Sequence, residues 1–290
     1  MEKEKFRKVI TSKRKFLDLN LKETICYKDL ISLFVRRDFV ARYKQTILGP
    51  LWAILQPLLQ TVLFTVIFGT LAGLAVSDTV GITLPKFLFY LSGSICWSYF
   101  ANVISSTSRT FITNRATMSK VYFPRLASPI STMISRLITF FIQLLFFIII
   151  WAVYLIGGNT AIKVTTNLLF LPLVIIQLSI LSLGVGLIIS AITVKYRDLQ
   201  MVVGFGLQLW QYASPIAYGL ALITINASGW AWIYMLNPVT PIITTFRYAV
   251  FGFGYFDVVY YLISWGTTLL LLFLGLITYS RAERKFVDFI

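Results

Sequence analysis

The chain has 290 residues and a mass of 33.0 kDa, with 58% hydrophobic residues, 13% charged residues and a mean hydropathy of +0.80. An ordinary globular protein carries about 25% charged residues. This chain therefore has too little polar surface for a soluble particle, and we predict an all-α integral membrane protein with several spans. Its net charge of +15 would suggest a nucleic-acid partner on a soluble chain. Because membrane proteins collect Lys and Arg on their cytoplasmic side, we predict no nucleic-acid partner.

Several chemistries are excluded by residues that the sequence lacks. It contains no histidine and only two cysteines, Cys26 and Cys96. Catalytic Ser-His or Cys-His pairs, a zinc site and a disulfide framework are therefore not expected, and we predict no catalytic residue and no metal or cofactor in this chain. The charged N-terminus has no apolar core of the kind a signal peptide carries, so no cleaved signal is expected.

Uncharged stretches long enough to cross a bilayer, about 20 residues each, predict the membrane topology. The six predicted spans lie near 50–74, 87–107, 134–156, 168–193, 200–222 and 259–279. The longest uncharged stretch, 199–246, has room for two spans, but Asn237, Pro238 and Pro241 interrupt its second half. Since proline breaks a helix, we predict a re-entrant pair of short outer helices over 229–252 and a six-span domain over 50–290.

The positions of the positive residues support this topology. With six spans, 23 of the 26 Lys and Arg residues fall on one side of the membrane, and only Lys86, Lys163 and Arg247 fall on the other. Such a bias marks the cytoplasmic side. Both termini are therefore predicted to be cytoplasmic.

The segment before the first span predicts an interfacial amphipathic helix, which with the preceding arm makes up residues 1–49. An apolar ridge with a spacing of four residues is formed by Ile31, Val35, Phe39, Tyr43 and Ile47. Such a helix lies at the membrane surface with its basic groups near the lipid phosphates. It either anchors and orients the first span, or its basic residues also draw an anionic lipid head group to an entrance. The candidates for that second role are Arg36, Arg37, Arg42 and Lys44.

The loop 109–133 is the largest internal connection on the predicted cytoplasmic side. A short helix is predicted over 110–122, and Phe123-Pro124 would end it. The loop is either a solvated connector or a docking helix that receives force from a partner ATPase.

The predicted spans contain no Asp or Glu. Ion-coupled transporters usually place such residues in the membrane, so secondary transport is disfavoured. The spans instead carry amide and aromatic side chains, which either line a sugar channel or hold helices together and mark the membrane interfaces. The candidates for a channel lining are Gln56, Gln60, Trp210, Gln211, Tyr212 and Tyr218.

The outer segment is either a hydrophobic cap or a gate hinged at Asn237, Pro238 and Gly252. Its one cation, Arg247, is predicted to meet a phosphate or to pair with Asp257.

Together these segments resemble the membrane subunit of ABC type-2 exporters for cell-surface polysaccharide, the Wzm, KpsM and TarG families. The resemblance covers nearly the whole chain, and its motifs are RRDFVARYKQTILGPLW at 36–52 followed by Pro57, Asn114 with Phe123-Pro124, YRD at 196–198, Ser214-Pro215 with Tyr218, and Asn237-Pro238 with Arg247.

The resemblance implies a homodimer in the bacterial inner membrane with two copies of a soluble ATPase, which would bind ATP and magnesium. This agrees with the absence of a GxxxxGK[ST] sequence here. The implied substrate is an undecaprenyl-diphosphate-linked polysaccharide, with O-antigen foremost and capsule or teichoic acid as alternatives. Residues 110–122 would be the coupling helix, with contacts to the ATPase from Asn114, Arg115, Lys120, Phe123 and Arg125.

Three rival interpretations remain open at this point. The same architecture could export a drug or a small lipid. A membrane polyprenyl-phosphate glycosyltransferase could use Asp78 as its outer acid. The chain could also be a purely structural subunit.

Overall fold

The computed structural model describes residues 24, 26–73, 84–114, 123–157, 165–196, 198–226, 229, 231–252 and 254–286. Within these ranges every regular element is a helix. The helices, labelled in chain order, are α1 (Lys28–Tyr43), α2 (Trp52–Phe64), α3 (Lys86–Ser108), α4 (Thr110–Thr113), α5 (Ala127–Ile156), α6 (Leu171–Thr193), α7 (Leu199–Tyr212), α8 (Leu220–Asn226), α9 (Ala231–Leu236), α10 (Val239–Phe251) and α11 (Val258–Phe286). Helix α2 follows a 3₁₀ turn at Gly49–Leu51 and continues as a π-helix over Thr65–Leu71, and a 3₁₀ turn at Thr166–Phe170 precedes α6.

Five of these helical stretches are long and apolar enough to cross a membrane. They run over Gly49–Leu71, Lys86–Ser108, Ala127–Ile156, Thr166–Thr193 and Val258–Glu283. A helix rises about 1.5 Å per residue, so each stretch covers the roughly 30 Å of a hydrocarbon core. They coincide with the first four predicted spans and the last one. The prediction of an all-α integral membrane protein is thereby confirmed.

The predicted fifth span differs from the structure. We expected one helix over 200–222, but α7 has only 14 residues and ends at Tyr212, and the chain becomes helical again only at Leu220. Pro215 explains the break, because it has no backbone N–H and its ring collides with the carbonyl one turn back. At about 21 Å, α7 alone is shorter than the hydrocarbon core. The prediction of one uninterrupted helix here is wrong.

Helix α3 forms the centre of the bundle. Its side chains are buried around nearly its whole circumference, from Leu88 to Val103, because α2, α5, α6 and α10 all pack against it. A helix that mixes large apolar residues with Ser and Gly on all sides suits such a position, since the small residues admit close neighbours.

The tightest helix pair is α6 with α11. A Cβ atom added at Gly184 would lie 2.7 Å from the backbone nitrogen of Leu272, and one added at Gly275 would lie 2.5 Å from the carbonyl oxygen of Gly184. Neither position leaves room for a side chain. The last span is therefore fixed against α6 by direct backbone approach.

Helix α1 lies against α5. Its one buried side chain is Phe34, which meets the ring of Phe123 edge-on at 5.4 Å. Phe34 does not belong to the predicted apolar ridge. A second hydrophobic cluster, separate from the core around α3, collects there around Phe111 and Tyr279, whose rings stack at 4.7 Å.

Within the predicted segment 229–252 the chain forms two short helices, α9 and α10, on either side of Asn237-Pro238. Their re-entrant placement on the outer side stays a prediction. Almost all of α10 is buried. The helix ends at Gly252, whose φ of 79° is the left-handed conformation that glycine adopts most readily at a helix C-terminus.

Candidate functional site

A basic cleft lies between α1, α3 and α5. It encloses about 450 Å³, and its charged lining consists of Arg37, Asp38, Arg42, Arg109 and Arg136. Serine and threonine hydroxyls complete much of the remaining wall. Four guanidinium groups therefore face one space with a single carboxylate among them.

Two of the four predicted head-group residues reach this cleft. Arg37 donates to the Asp38 carboxylate at 3.0 and 2.8 Å and to Oδ1 of Asn114 at 3.0 Å. The Nη1 group of Arg42 donates to Oγ1 of Thr139 at 3.0 Å. Arg36 and Lys44 are exposed and line neither this cleft nor the cavity next to it. The structure thus separates the predicted set into an inward pair and an outward pair.

Arg109 and Arg136 complete the cleft and were not among the predicted site residues. Arg109 caps the end of α3, and Arg136 lies inside α5, where its Nη2 donates to Oγ of Ser106 at 2.6 Å. From the sequence, both residues were only two of the 23 Lys and Arg residues predicted on the cytoplasmic side of the membrane. Arg136 did carry a signal of its own, because it is the one charged residue of α5.

A second cavity of about 390 Å³ adjoins the basic cleft and shares Arg42 and Arg136 with it. Its other polar and aromatic lining comes from Tyr43, Thr46, Trp52, Gln56, Asn102, Thr139 and Gln143. We call it the amide cavity. Gln56 is the one predicted channel residue that lines it, whereas Gln60, half-buried one turn further along α2, does not.

The aromatic residues predicted on the fifth span are largely engaged within the subunit. Trp210 donates from Nε1 to Oδ1 of Asn237 at 3.0 Å, with the ring of Phe100 5.2 Å away. The Tyr218 hydroxyl donates to the Tyr212 carbonyl at 2.6 Å and also meets the hydroxyl of Tyr234. Tyr212 has an exposed ring and Gln211 is half-buried.

Asn237 ties the break after α7 to the start of α10. Its Nδ2 group donates to the Ala213 carbonyl at 3.0 Å and to Oγ of Ser214 at 3.1 Å, and its Oδ1 accepts from the backbone N–H of Val239 at 3.2 Å. A buried helix break leaves backbone groups that need partners. The Asn237 side chain is the partner of two such backbone groups, the Ala213 carbonyl and the Val239 N–H. The hinge role predicted for Asn237-Pro238 stays a prediction.

The predicted coupling segment is described only in part. Arg115 and Lys120 lie outside the described residues, as does most of 110–122. Of the rest, Asn114 donates to Oγ of Ser128 at 2.8 Å. The Nη1 group of Arg125 donates to the Glu283 carbonyl at 2.5 Å, and the Arg125 carbonyl accepts from the Tyr279 hydroxyl at 3.2 Å. This region thus connects α1, α5 and α11.

Arg247 does not lie where the sequence suggested. Only 1% of it is exposed. Its guanidinium sits 3.6 Å from the ring centroid of Phe89, and its Nε donates to Oγ of Ser92 at 3.2 Å. Asp257, one of the two partners predicted for Arg247, instead accepts at Oδ1 from the backbone N–H groups of Val259 and Tyr260 at the start of α11. The predicted pairing of Arg247 with Asp257 is wrong, because α10 turns this side chain into the bundle.

The long apolar helices, which enclose a basic cleft and an adjoining polar cavity, define a multi-pass membrane protein. Among the described residues, no cluster of His, Cys, Asp and Glu could hold a metal ion. Residues 29–251 match the family described as ABC-2 type transporter, and the chain belongs to that family. It is accordingly a transport permease of the inner membrane and not an enzyme, and its ATPase is a separate subunit. The rival interpretation as a glycosyltransferase is excluded.

Individual relatives extend the likeness over most of the chain. The O-antigen export system permease protein RfbA of Klebsiella pneumoniae is 26% identical over 261 residues, which is 90% of this chain and 94% of the relative. RfbA of Myxococcus xanthus is 26% identical over 78% of this chain and 82% of its own length. The polysialic acid transport protein KpsM of Escherichia coli is 30% identical over 87% of this chain and 92% of its own length.

Proposed function

We propose that this chain is the permease subunit of an ATP-driven exporter that moves an undecaprenyl-diphosphate-linked polysaccharide across the cytoplasmic membrane. O-antigen is the foremost substrate, with capsule or teichoic acid as alternatives. The single observation that carries the proposal is the basic cleft joined to the amide cavity. Guanidinium groups suit phosphate oxygens, and amide and aromatic groups suit a neutral sugar. The export functions in the names of the relatives point the same way.

The assembly we propose is a homodimer with two ATPase subunits and both termini in the cytoplasm. The glycan would pass between the two permease subunits, along faces that carry Gln56 and Tyr212, both of which are exposed on the single subunit. The positions of the Lys and Arg residues support the orientation. The ATPase would act on 110–122, and its force would reach α1 through the contact of Phe34 with Phe123.

The proposal is tested by purifying the permease with its ATPase in nanodiscs and measuring ATP hydrolysis with and without a lipid-linked glycan. We expect the glycan to stimulate hydrolysis, because substrate binding next to the coupling region favours the state in which the ATPase closes. A lipid diphosphate without sugar serves as the control. Stimulation by small amphiphilic drugs and none by any glycan would instead favour the drug-exporter alternative.

A further inference from the structure

The four arginines of the basic cleft differ from the other cations of the chain in where they lie. Arg37 and Arg42 come from α1, Arg109 from the end of α3 and Arg136 from α5. Side chains from three helices, separated from one helix to the next by 27 or more positions in sequence, thus converge on one space of about 450 Å³. A solvated basic face would spread its charges over the surface. This cleft concentrates them around a cavity of the size that small-molecule sites usually have, on the order of 300–1,000 Å³.

The charge of the cleft is poorly balanced by the protein. Among the described residues of its lining, Asp38 is the only acidic one, and the closest partner of that carboxylate is Arg37 at 2.8 Å. Among the described residues, the other three guanidinium groups, those of Arg42, Arg109 and Arg136, form no ion pair with a carboxylate of the cleft. Like charges in a partly enclosed space repel each other more strongly than in bulk water. An anion in the cleft would relieve that repulsion.

The hydrogen-bonding capacity of these groups is also largely unused within the described part of the chain. A guanidinium has five N–H donors. Arg42 commits one group to Thr139, and Arg136 commits one to Ser106. The Nε of Arg136 is buried without an acceptor among the described residues, and the Arg109 side chain makes no hydrogen bond within them. Several donors thus remain for the oxygens of a ligand, with Ser105, Thr113 and Thr132 alongside.

The amide cavity has room for a second, uncharged part of the same ligand. Arg42 and Arg136 line both spaces, so a group held in the basic cleft would lie next to the amide cavity. The described residues of its lining include an indole, Trp52, and the amides of Gln56, Asn102 and Gln143, but no carboxylate. Such a surface suits a neutral ring with several hydroxyls, which stacks on aromatic faces and bonds to amides.

We propose that Arg37, Arg42, Arg109 and Arg136 form a diphosphate site inside each subunit and that the amide cavity holds the first sugar attached to that diphosphate. The proposal rests on the proposed function and moves its head-group site inward, to Arg109 and Arg136 and away from Arg36 and Lys44. The lipid diphosphate would bridge α1 to α3 and α5. Because Arg37 also donates to Asn114, an occupied site would directly adjoin the coupling segment.

The test compares two pairs of substitutions that each remove two positive charges. The inward pair is Arg109→Gln with Arg136→Gln, and the outward control pair is Arg36→Gln with Lys44→Gln. The full-length permease with its ATPase, in phosphatidylcholine nanodiscs, is titrated with labelled farnesyl diphosphate. We expect the inward pair to weaken binding by about tenfold or more and the outward pair by less than about twofold. An equal loss in both pairs would mean general electrostatic attraction and would overturn the proposal.

A single variant and a competition experiment complete the test. Arg109 is exposed, so Arg109→Gln alone leaves the fold intact and should still weaken binding severalfold, even where the double variant folds poorly. Phosphatidylglycerol should not displace farnesyl diphosphate. Full displacement at equal concentration would identify a site for membrane phospholipid and overturn the diphosphate assignment.

The same preparations separate this inference from the proposed function. If a lipid-linked glycan stimulates the ATPase of the wild type and of the inward pair equally, the inner site is wrong while glycan export stands. If no lipid-linked glycan stimulates the wild type, the proposed function fails as well.

Discussion

Arginine occupies two contrasting surroundings in this protein. Arg247 is enclosed by the bundle, with its guanidinium over the ring of Phe89 and a hydrogen bond to Ser92. Arg109 and Arg136 face a cleft in which most of their donors have no acceptor among the described residues. The comparison teaches that the role of a cationic side chain in a membrane protein can be inferred from the hydrogen bonds that its N–H groups already make within the protein. A cation whose hydrogen-bond partners belong to the protein itself stabilises the fold. A cation that faces a cavity with unused N–H donors can bind a ligand.

The largest expected effect comes from Arg247→Ala. The substitution removes a large, fully buried side chain together with its cation–π contact, which should lower the free energy of unfolding by about 3–5 kcal/mol. We expect a large drop in thermal stability, measured by fluorescence-detected size exclusion after heating. The matched variant Arg247→Met keeps much of the volume and should lose less. Wild-type stability in the alanine variant would contradict a structural role for Arg247.

Asn237→Ala should follow in size. Its side chain accepts from Trp210 and donates to the chain at the break after α7, so the substitution leaves a half-buried indole N–H and a carbonyl without these partners. The expected loss is about 2 kcal/mol, visible as a lower midpoint in the same heating assay. Asn167→Ala, in the 3₁₀ turn before α6, is the matched control and should change the midpoint little. Equal midpoints for the two variants would show that Asn237 does not stabilise the break.

Thr139→Val tests whether the cleft arginines are held in position. Valine keeps the shape of threonine but removes the hydroxyl that accepts from Arg42. We expect farnesyl diphosphate binding to weaken about three- to tenfold, which corresponds to roughly 1 kcal/mol, with unchanged thermal stability. The control is Thr278→Val, where the hydroxyl donates only to carbonyls within α11. If both valine variants bind farnesyl diphosphate as the wild type does, Thr139 is not needed to hold Arg42 in position.

The smallest effect is expected for Arg36→Gln. Arg36 is exposed and lines neither cavity, so its charge acts only through solvent and is screened by salt. Surface polysaccharide in cells that carry the variant should stay within about twofold of wild type. Arg37→Gln, one residue away but inside the cleft, should reduce export severalfold more. If Arg36→Gln were the more damaging of the two, the contrast between the inward and outward residues would be lost.

Much of the fold could be predicted because its cause is local. Uncharged runs of sufficient length predicted the five long apolar helices, and Asn237-Pro238 correctly divided α9 from α10. The same reasoning could have been applied to Ser214-Pro215, where proline ends α7, but the length of the uncharged stretch outweighed it. The basic cleft could not be predicted, because its arginines come from three different helices. Arg109 at the end of α3 and Arg136 in α5 approach Arg37 and Arg42 only because α1 and α3 both pack against α5. The sequence likewise does not reveal that Trp210 donates to Asn237, 27 residues further along the chain.

The enclosure of Arg247 also restricts which sequence changes this protein can accept. A Cβ atom at Gly93 would lie 2.8 Å from Nη2 of Arg247 and 3.4 Å from Ile216. Alanine at position 93 therefore requires the end of the Arg247 side chain to move, and it fits better once a smaller residue stands at 247. The two substitutions should be strongly non-additive, as expected for side chains in direct contact. The effect of alanine at position 93 should therefore depend on position 247, with a smaller loss of stability where a smaller residue already stands there.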